Sequence, residues 1–205
     1  MCYTVGMKLI IASNNAHKVT EIRAILGAAF PEMYTLKEAG LAIDVVEDGE
    51  TFADNAKKKA EEVLLASGFP AALADDSGLM VDALHGAPGV YSARYAGEGH
   101  DDKQNNEKLM RDMAGVPEEK RACRFVSAVA LARVGKPTLI VSGTAEGTLL
   151  TAPRGENGFG YDPYFYYAPY GKSFAELSGE EKNAVSHRKR ALEALRALLD
   201  AEENE

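Results

Sequence analysis

Asp75 and Asp76 stand side by side in an otherwise apolar stretch, between residues 70–74 and 79–81. Two carboxylates so flanked cost stability unless they are paired, hydrogen-bonded or bound to a metal. A functional pair is the better reading. Glu47-Asp48-Gly49-Glu50 sets three more carboxylates just before a helical pattern, where they either hold a cation or complement the helix dipole. Mg²⁺ takes oxygen ligands, keeps several waters, and uses one or two protein carboxylates together with phosphate oxygens, so Glu47 and Asp76 suffice for it. Neither His/Cys metal spacing nor an HExxH motif occurs, which argues against zinc.

Cations and small polar groups recur at three other places. Residues 13–18 (SNNAHK) join a strand pattern to a helix pattern, so their backbone N–H groups and Lys18 suit a phosphate. An N-capped helix start with an exposed Lys18 explains the same six residues. No GxxxxGKS/T sequence is present, so this is not a P-loop. Asn55 and Lys59, four apart, share one helix face. Residues 155–162 (GENGFGYD) do not follow the GxGxxG order and read as a flexible loop presenting aromatics: Phe159 to stack on a base, Asp162 to accept a hydrogen bond. Core packing of those aromatics is the alternative. In residues 182–188 (KNAVSHR), Lys182, His187 and Arg188 gather at the start of a helix, where cations oppose the dipole. That local conflict points to function.

The elements that must carry these groups alternate between strand and helix. Residues 8–13 are a strand, followed by Val19, Ile22, Ile25 and Leu26 at helical spacing. Residues 51–66 form a second helix with Phe52, Ala56, Ala60, Val63 and Leu64 on its apolar stripe. The acidic pair falls between two short strands, and 85–102 is a long loop. Helical spacing returns at Leu109, Met110 and Met113; 125–132 and 137–150 are adjacent antiparallel strands, and 164–167 is an aromatic strand. Val185, Leu192, Leu195 and Leu199 mark a last helix, with Glu202, Glu203 and Glu205 as a solvated, fraying end. No repeat, linker or composition shift marks a domain boundary. Residues 1–6 precede a second methionine, Met7, and read as a dispensable extension to one domain over 7–205.

With 205 residues, 46% hydrophobic and 26% charged, the chain can bury a sizeable core. A net charge of -8 disfavours binding to nucleic acid, so an anionic ligand must meet locally placed cations. Two cysteines, Cys2 and Cys123, make no disulfide framework, and neither a membrane-length apolar run nor a signal-peptide pattern is present. A cytoplasmic setting with no membrane partner fits best.

Taken in order, SNNAHK, EDGETFADNAKKK, ADDSGL, GAPGVYSARYAG, GENGFGYDP and EEKNAVSHR resemble the inosine triphosphate pyrophosphatase (Ham1-like) family over residues 8–199. The ordered set is far more specific than any one block. The resemblance implies an α/β fold with a long, twisted, mixed central sheet and flanking helices, in two lobes around an active-site cleft, assembled as a homodimer. It implies Mg²⁺-dependent conversion of ITP, dITP and XTP to the monophosphate and pyrophosphate, which clears them from the nucleotide pool. Residue by residue, it puts Ser13, Asn14, Asn15, Ala16, His17, Lys18 and Lys59 on the triphosphate and Glu47 and Asp76 on the metal. Asp76 is also the proton acceptor, one residue from Asp75, and Ser77 follows at the substrate. Phe159, Gly160, Tyr161 and Asp162 frame the base, with Lys182, His187 and Arg188 completing the purine pocket. Some relatives carry Trp where Tyr161 stands. A Maf-like nucleotide pyrophosphatase with another base preference and a noncatalytic nucleotide-sensing module are the rival readings.

Overall fold

A computed structural model describes residues 7–99 and 101–203; the side chains of His17 and Glu203 lie outside that description, as do residues 1–6 with the extension expected there, and Glu205. The strands β1 (Leu9–Ile11), β2 (Met33–Thr35), β3 (Ala71–Val81), β4 (Ala122–Arg133), β5 (Lys136–Leu149), β6 (Phe165–Tyr167) and β7 (Lys172–Ser173) form one sheet in the order β2-β1-β3-β4-β5-β6-β7. β1 is parallel to both β2 and β3, whereas β5–β6 and β6–β7 are antiparallel, so the sheet is mixed, as the resemblance implies. β4 and β5 are joined by Val134 and Gly135 alone, a connection short enough for an antiparallel pair only. Gly135 turns it at a φ of 73°. The helices are α1 (Ala16–Leu26), α2 (Phe52–Ser67), α3 (Asp102–Asp112), α4 (Gly179–Val185) and α5 (His187–Glu203). No described helix is long and apolar enough to cross a membrane.

The chain divides into two compact units: Met1–Asp76 with Ser127–Gly143 and Arg188–Glu205, and Ser77–Val126 with Thr144–His187. In the first unit, Val19, Ile22 and Leu26 of α1 and Leu192, Leu195 and Leu199 of α5 pack on Leu9, Ile11, Ala71 and Leu73 of β1 and β3. All these strand positions are odd, as the period of two requires for one face. Each fully buried Leu contributes about 1.5 to 3 kcal/mol. α2 starts at Thr51, whose hydroxyl accepts the Asp54 N–H, and ends at Gly68 in the left-handed region. The core of the second unit is richer in aromatics: Phe125, Tyr161, Phe165, Tyr167 and Phe174 pack with Leu79, Val81 and Leu109.

Four expectations change. The acidic pair does not separate two short strands, because β3 runs unbroken through both aspartates; partners on neighbouring helices hold one oxygen of each carboxylate, so the strand need not stop. The segment 85–102 contains a 3-10 helix, Gly89–Arg94, stitched to α3. Residues 182–188 span two helices that meet at Ser186, so Lys182 lies in the last turn of α4, where its charge suits the dipole, and only His187 and Arg188 open α5. Glu202 does not fray: its carboxylate receives both Nη groups of the buried Arg133 at 2.6 and 2.8 Å, and Lys136 at 3.2 Å.

Candidate active site

In the first unit the chemistry centres on the middle of β3. Asp75 continues the odd face, toward α1 and α5, and its Oδ2 receives Lys18 Nζ at 3.0 Å and Arg188 Nε at 3.1 Å. Arg188, itself 2% exposed, gives Nη1 to Glu21 at 3.1 Å. Lys18 and Glu21 are three apart on α1 and so share a face, which gathers four charges in one chain of ion pairs: Lys18 to Asp75, Asp75 to Arg188, Arg188 to Glu21. Burial alone would raise the Asp75 carboxyl, but Lys18, Arg188 and Lys59 outweigh it and hold that group well below the usual carboxylate range. Its Oδ1 has no hydrogen-bond partner among the described residues.

Asp76 takes the even face. Its Oδ2 accepts Asn55 Nδ2 at 2.9 Å, and the oxygen of the same Asn55 amide accepts the Gly49 N–H at 2.7 Å. A Cβ on Gly49 would lie 2.7 Å from that oxygen, so the close approach requires glycine. The acidic segment is thereby drawn against α2, where Glu47 forms an ion pair with Lys59. Burial pushes the Asp76 carboxyl up to about 6; the Asn55 hydrogen bond opposes the shift and the charge of Glu47 adds to it. Neighbouring sequence positions thus differ sharply in how readily they hold a proton.

At the start of α1, Asn15 Oδ1 accepts the Lys18 N–H at 3.3 Å and Ser13 Oγ accepts the Asn15 N–H at 3.2 Å, the cap that the bland reading of this segment expects. Lys18 is not the exposed cation of that reading, being mostly buried on Asp75, where burial pulls its ammonium below its ordinary pKa against the pull of Asp75. Asn14 and Ala16 are exposed at the surface, and the side chain of His17 is outside the description. Among the described residues no group of three or more His, Cys, Asp and Glu gathers as a metal cage. Glu47 and Asp76, two hard-oxygen carboxylates near enough to raise the pKa of Asp76, nonetheless fit Mg²⁺, which takes its remaining ligands from water and phosphate.

The second unit holds the other predicted residues. Asp162, 2% exposed, receives Lys182 Nζ at 2.5 Å and the Phe159 N–H at 2.8 Å on one oxygen. The Lys182 ammonium also lies 4.6 Å from the centroid of the Phe159 ring, a cation–π distance. Phe159 is 36% exposed, so one large aromatic surface remains accessible. His187 stacks on Phe125 with centroids 5.0 Å apart and planes 14° from parallel. Tyr161 is buried and its hydroxyl donates to the Ser92 carbonyl at 2.7 Å. Ser77 is half-buried, and beside it a Cβ on Gly78 would come within 2.2 Å of Ser92 Oγ. The loop 155–162, expected to be flexible, is tied at Asn157, Phe159, Gly160 and Tyr161.

Lys18, Glu47, Lys59, Asp76 and Arg188 therefore fall in the first unit, and Ser77, Phe159 to Asp162, Lys182 and His187 in the second. Arg188, which the resemblance sets at the purine, has its Nε and Nη1 on carboxylates of the first unit. Sequence reasoning missed Glu21 and the bridging role of Asn55; the spacing of Asn55 to Lys59 was the available signal for the latter.

Fold and site together define an α/β protein of mixed sheet with an acid-and-lysine centre midway along an inner strand. The chain belongs to the Ham1 family, whose model matches residues 9–198. It is 49% identical over 191 residues to a dITP/XTP pyrophosphatase of Leuconostoc mesenteroides, covering 92% of this chain and 94% of that one. A dITP/XTP pyrophosphatase of Geobacillus kaustophilus is 50% identical over 188 residues, at 92% of each chain. Among solved structures, the Ham1 protein of Staphylococcus aureus superposes with a TM-score of 0.85 at 39% identity, covering 95% of this chain and 99% of that one. The nucleoside-triphosphatase / dITP/XTP pyrophosphatase of Mycobacterium abscessus gives 0.77 at 43% identity, with 92% and 98% covered.

Proposed function

We propose that this chain is a nucleoside triphosphate pyrophosphatase that hydrolyses dITP and XTP, and ITP with them, to the monophosphate and pyrophosphate, so removing non-standard purines from the nucleotide pool. The names of the relatives support the substrate class. The observation that carries the chemistry is the unequal treatment of two adjacent carboxylates: Asp75 is neutralised by Lys18 and Arg188, while Asp76 accepts an amide of Asn55 and faces Glu47. A carboxylate already bound to two cations is a poor proton acceptor, which favours Asp76 over Asp75 as the base.

Asp76 orients a water toward the α-phosphorus and accepts its proton as the bond to the bridging oxygen breaks and pyrophosphate departs. Lys18 and Lys59 are already stripped of much of their water by Asp75 and Glu47, so triphosphate oxygens compete with those carboxylates for them. A magnesium ion held by Glu47 and Asp76 supplies charge neutralisation for the departing group when bound. Phe159 offers its face to the base, and Lys182 and His187 supply N–H donors suited to a 6-oxo group. Adenine would meet them with an amino donor, and a hydrogen-bonding site can reject such a mismatch by roughly 10⁴-fold. The two carboxylate partners of Arg188 support a role for it in holding Asp75.

Pyrophosphate release from dITP, XTP, ITP, ATP, GTP and UTP, with Mg²⁺ and with a chelator, tests the reading. Fast release from the first three that needs the metal is expected. Preference for UTP or another standard nucleotide would favour a Maf-like specificity, and binding without release would overturn the catalytic reading.

A further inference from the structure

We propose that Asp102 and Asn106 of α3 are positioning residues that set the base-facing loop by gripping both peptide groups of Gly160. Asp102 Oδ2 accepts the Gly160 N–H at 2.7 Å, and Asn106 Nδ2 donates to the Gly160 carbonyl at 2.8 Å. The two side chains are one helical turn apart and so lie on one face of α3. Gly160 has a φ of +59°, and nothing lies within 4 Å of where its Cβ would be. Glycine is therefore there for backbone conformation, and its amide and carbonyl are the only handles it offers.

The grip is anchored at its other end. Asn105, 2% exposed, gives its amide to the Ala93 carbonyl at 3.0 Å and accepts the Ala96 N–H at 2.7 Å, which fixes α3 to the 3-10 helix Gly89–Arg94. The carbonyl of Ser92 in that helix takes the Tyr161 hydroxyl. A closed circuit results: α3 to Gly160, Gly160 to Tyr161, Tyr161 to Ser92, and Ser92 through Ala93 back to α3. This circuit gives the GAPGVYSARYAG block a purpose that its residue types do not announce. Capping does not account for Asp102, because Asp101 is the cap and its Oδ1 receives the Gln104 N–H at 3.0 Å. Asn106 is in turn steadied by a second bond from its amide to the Asp102 carbonyl, at 2.9 Å.

Phe159 immediately precedes the gripped residue, so the grip sets where its ring lies. Without it, the bonds at Asp162 and Tyr161 keep the loop attached but allow the ring to vary in height. Substrates that depend on the base contact then bind less well, while the groups of the first unit are untouched. The inference rests on the reading of Phe159 as a base platform, and its test separates the two. In Asp102→Ala, KM for dITP is expected to rise about tenfold with kcat within about twofold, and the dITP/ATP ratio of kcat/KM to narrow, the loss of one charge-assisted hydrogen bond. Asp102→Asn, which keeps an acceptor oxygen, is expected to restore most of the difference. Asn106→Asp, which sets a carboxylate against the Gly160 carbonyl, is expected to repeat the defect. Hydrogen exchange of the Gly160 amide, measured by NMR, is expected to be slow in the wild type and in Asp102→Asn and fast in Asp102→Ala. Unaltered exchange in Asp102→Ala would overturn the grip whatever the substrate is. Accelerated exchange with unchanged KM and ratio would keep the grip, remove its link to recognition and count against the Phe159 platform instead.

Discussion

The two units fix their functional groups by different means. In the first, charged side chains hold one another: Lys18, Asp75, Arg188 and Glu21 form a chain of ion pairs, and Lys59 pairs with Glu47 beside Asp76. In the second, the loop is held largely by main-chain bonds, with the Phe159 and Gly160 amides and the Gly160 and Ser92 carbonyls as its anchors. A polyphosphate needs charge at fixed points, and buried pairs on rigid elements fix charge well. A planar base needs a surface at a set height, which bonds to the backbone of its loop can set. Substitutions in the first unit should therefore change chemistry and stability strongly, and those at the loop should change discrimination mildly.

The largest effect should come from Asp76→Asn. The amide keeps an oxygen for Asn55 but removes the base, so kcat/KM should fall by about 10² to 10⁴ with the fold retained. Wild-type turnover by the folded variant, with circular dichroism as the control, would transfer the role elsewhere. Arg188→Ala comes next and acts on stability. It leaves Asp75 and Glu21 buried without their shared counter-ion, at a cost of roughly 3 to 5 kcal/mol in urea unfolding. A loss below about 1 kcal/mol would mean that this chain of ion pairs does not hold the unit together and would leave Arg188 available to the base. The smallest effect is at the far end of the same helix. The hydrogen bonds from Arg133 above all hold the Glu202 carboxyl down at about 2, below its ordinary 4.5, against the opposing effect of burial and with a lesser contribution from Lys136. Its stabilisation is therefore complete above about pH 4.5 and disappears as pH falls toward 2. Glu202→Gln should cost about 1 kcal/mol at neutral pH, since solvent screens the pair, and nothing at the acid end. A gap between variant and wild type that stays constant with pH would remove the ion pair from the account.

This contrast also explains what could be read in advance. Asp75 and Asp76 were legible because charged types amid apolar neighbours are conspicuous in a sequence, whereas Lys18 stood out only at a polar strand-to-helix turn and Lys59 through the family resemblance. The strand through the aspartates was not, since polar residues ordinarily end a buried strand and their partners come from α1, α2 and α5, far away in the chain. Glu202 reads together with Glu203 and Glu205 as a solvated end in the sequence because nothing local reveals that Arg133 is buried beneath it. The grip on Gly160 was the least legible of all: its bonds end on peptide groups, which every residue has, and Asp102 resembles any acid in the first turn of a helix.

β3 carries a last consequence. Its two aspartates owe their different fates to parity alone, one counted on the odd positions with Leu73 and the other on the even. Deleting a single residue upstream in that strand would bring Asp76 to the place held by Lys18 and Arg188, and inserting one would offer Asp75 to Asn55. Point changes at neighbouring small residues leave this arithmetic intact, but a length change of one does not. The spacing from Ala71 to Asp76 should therefore resist insertion and deletion even where its individual letters are free to drift.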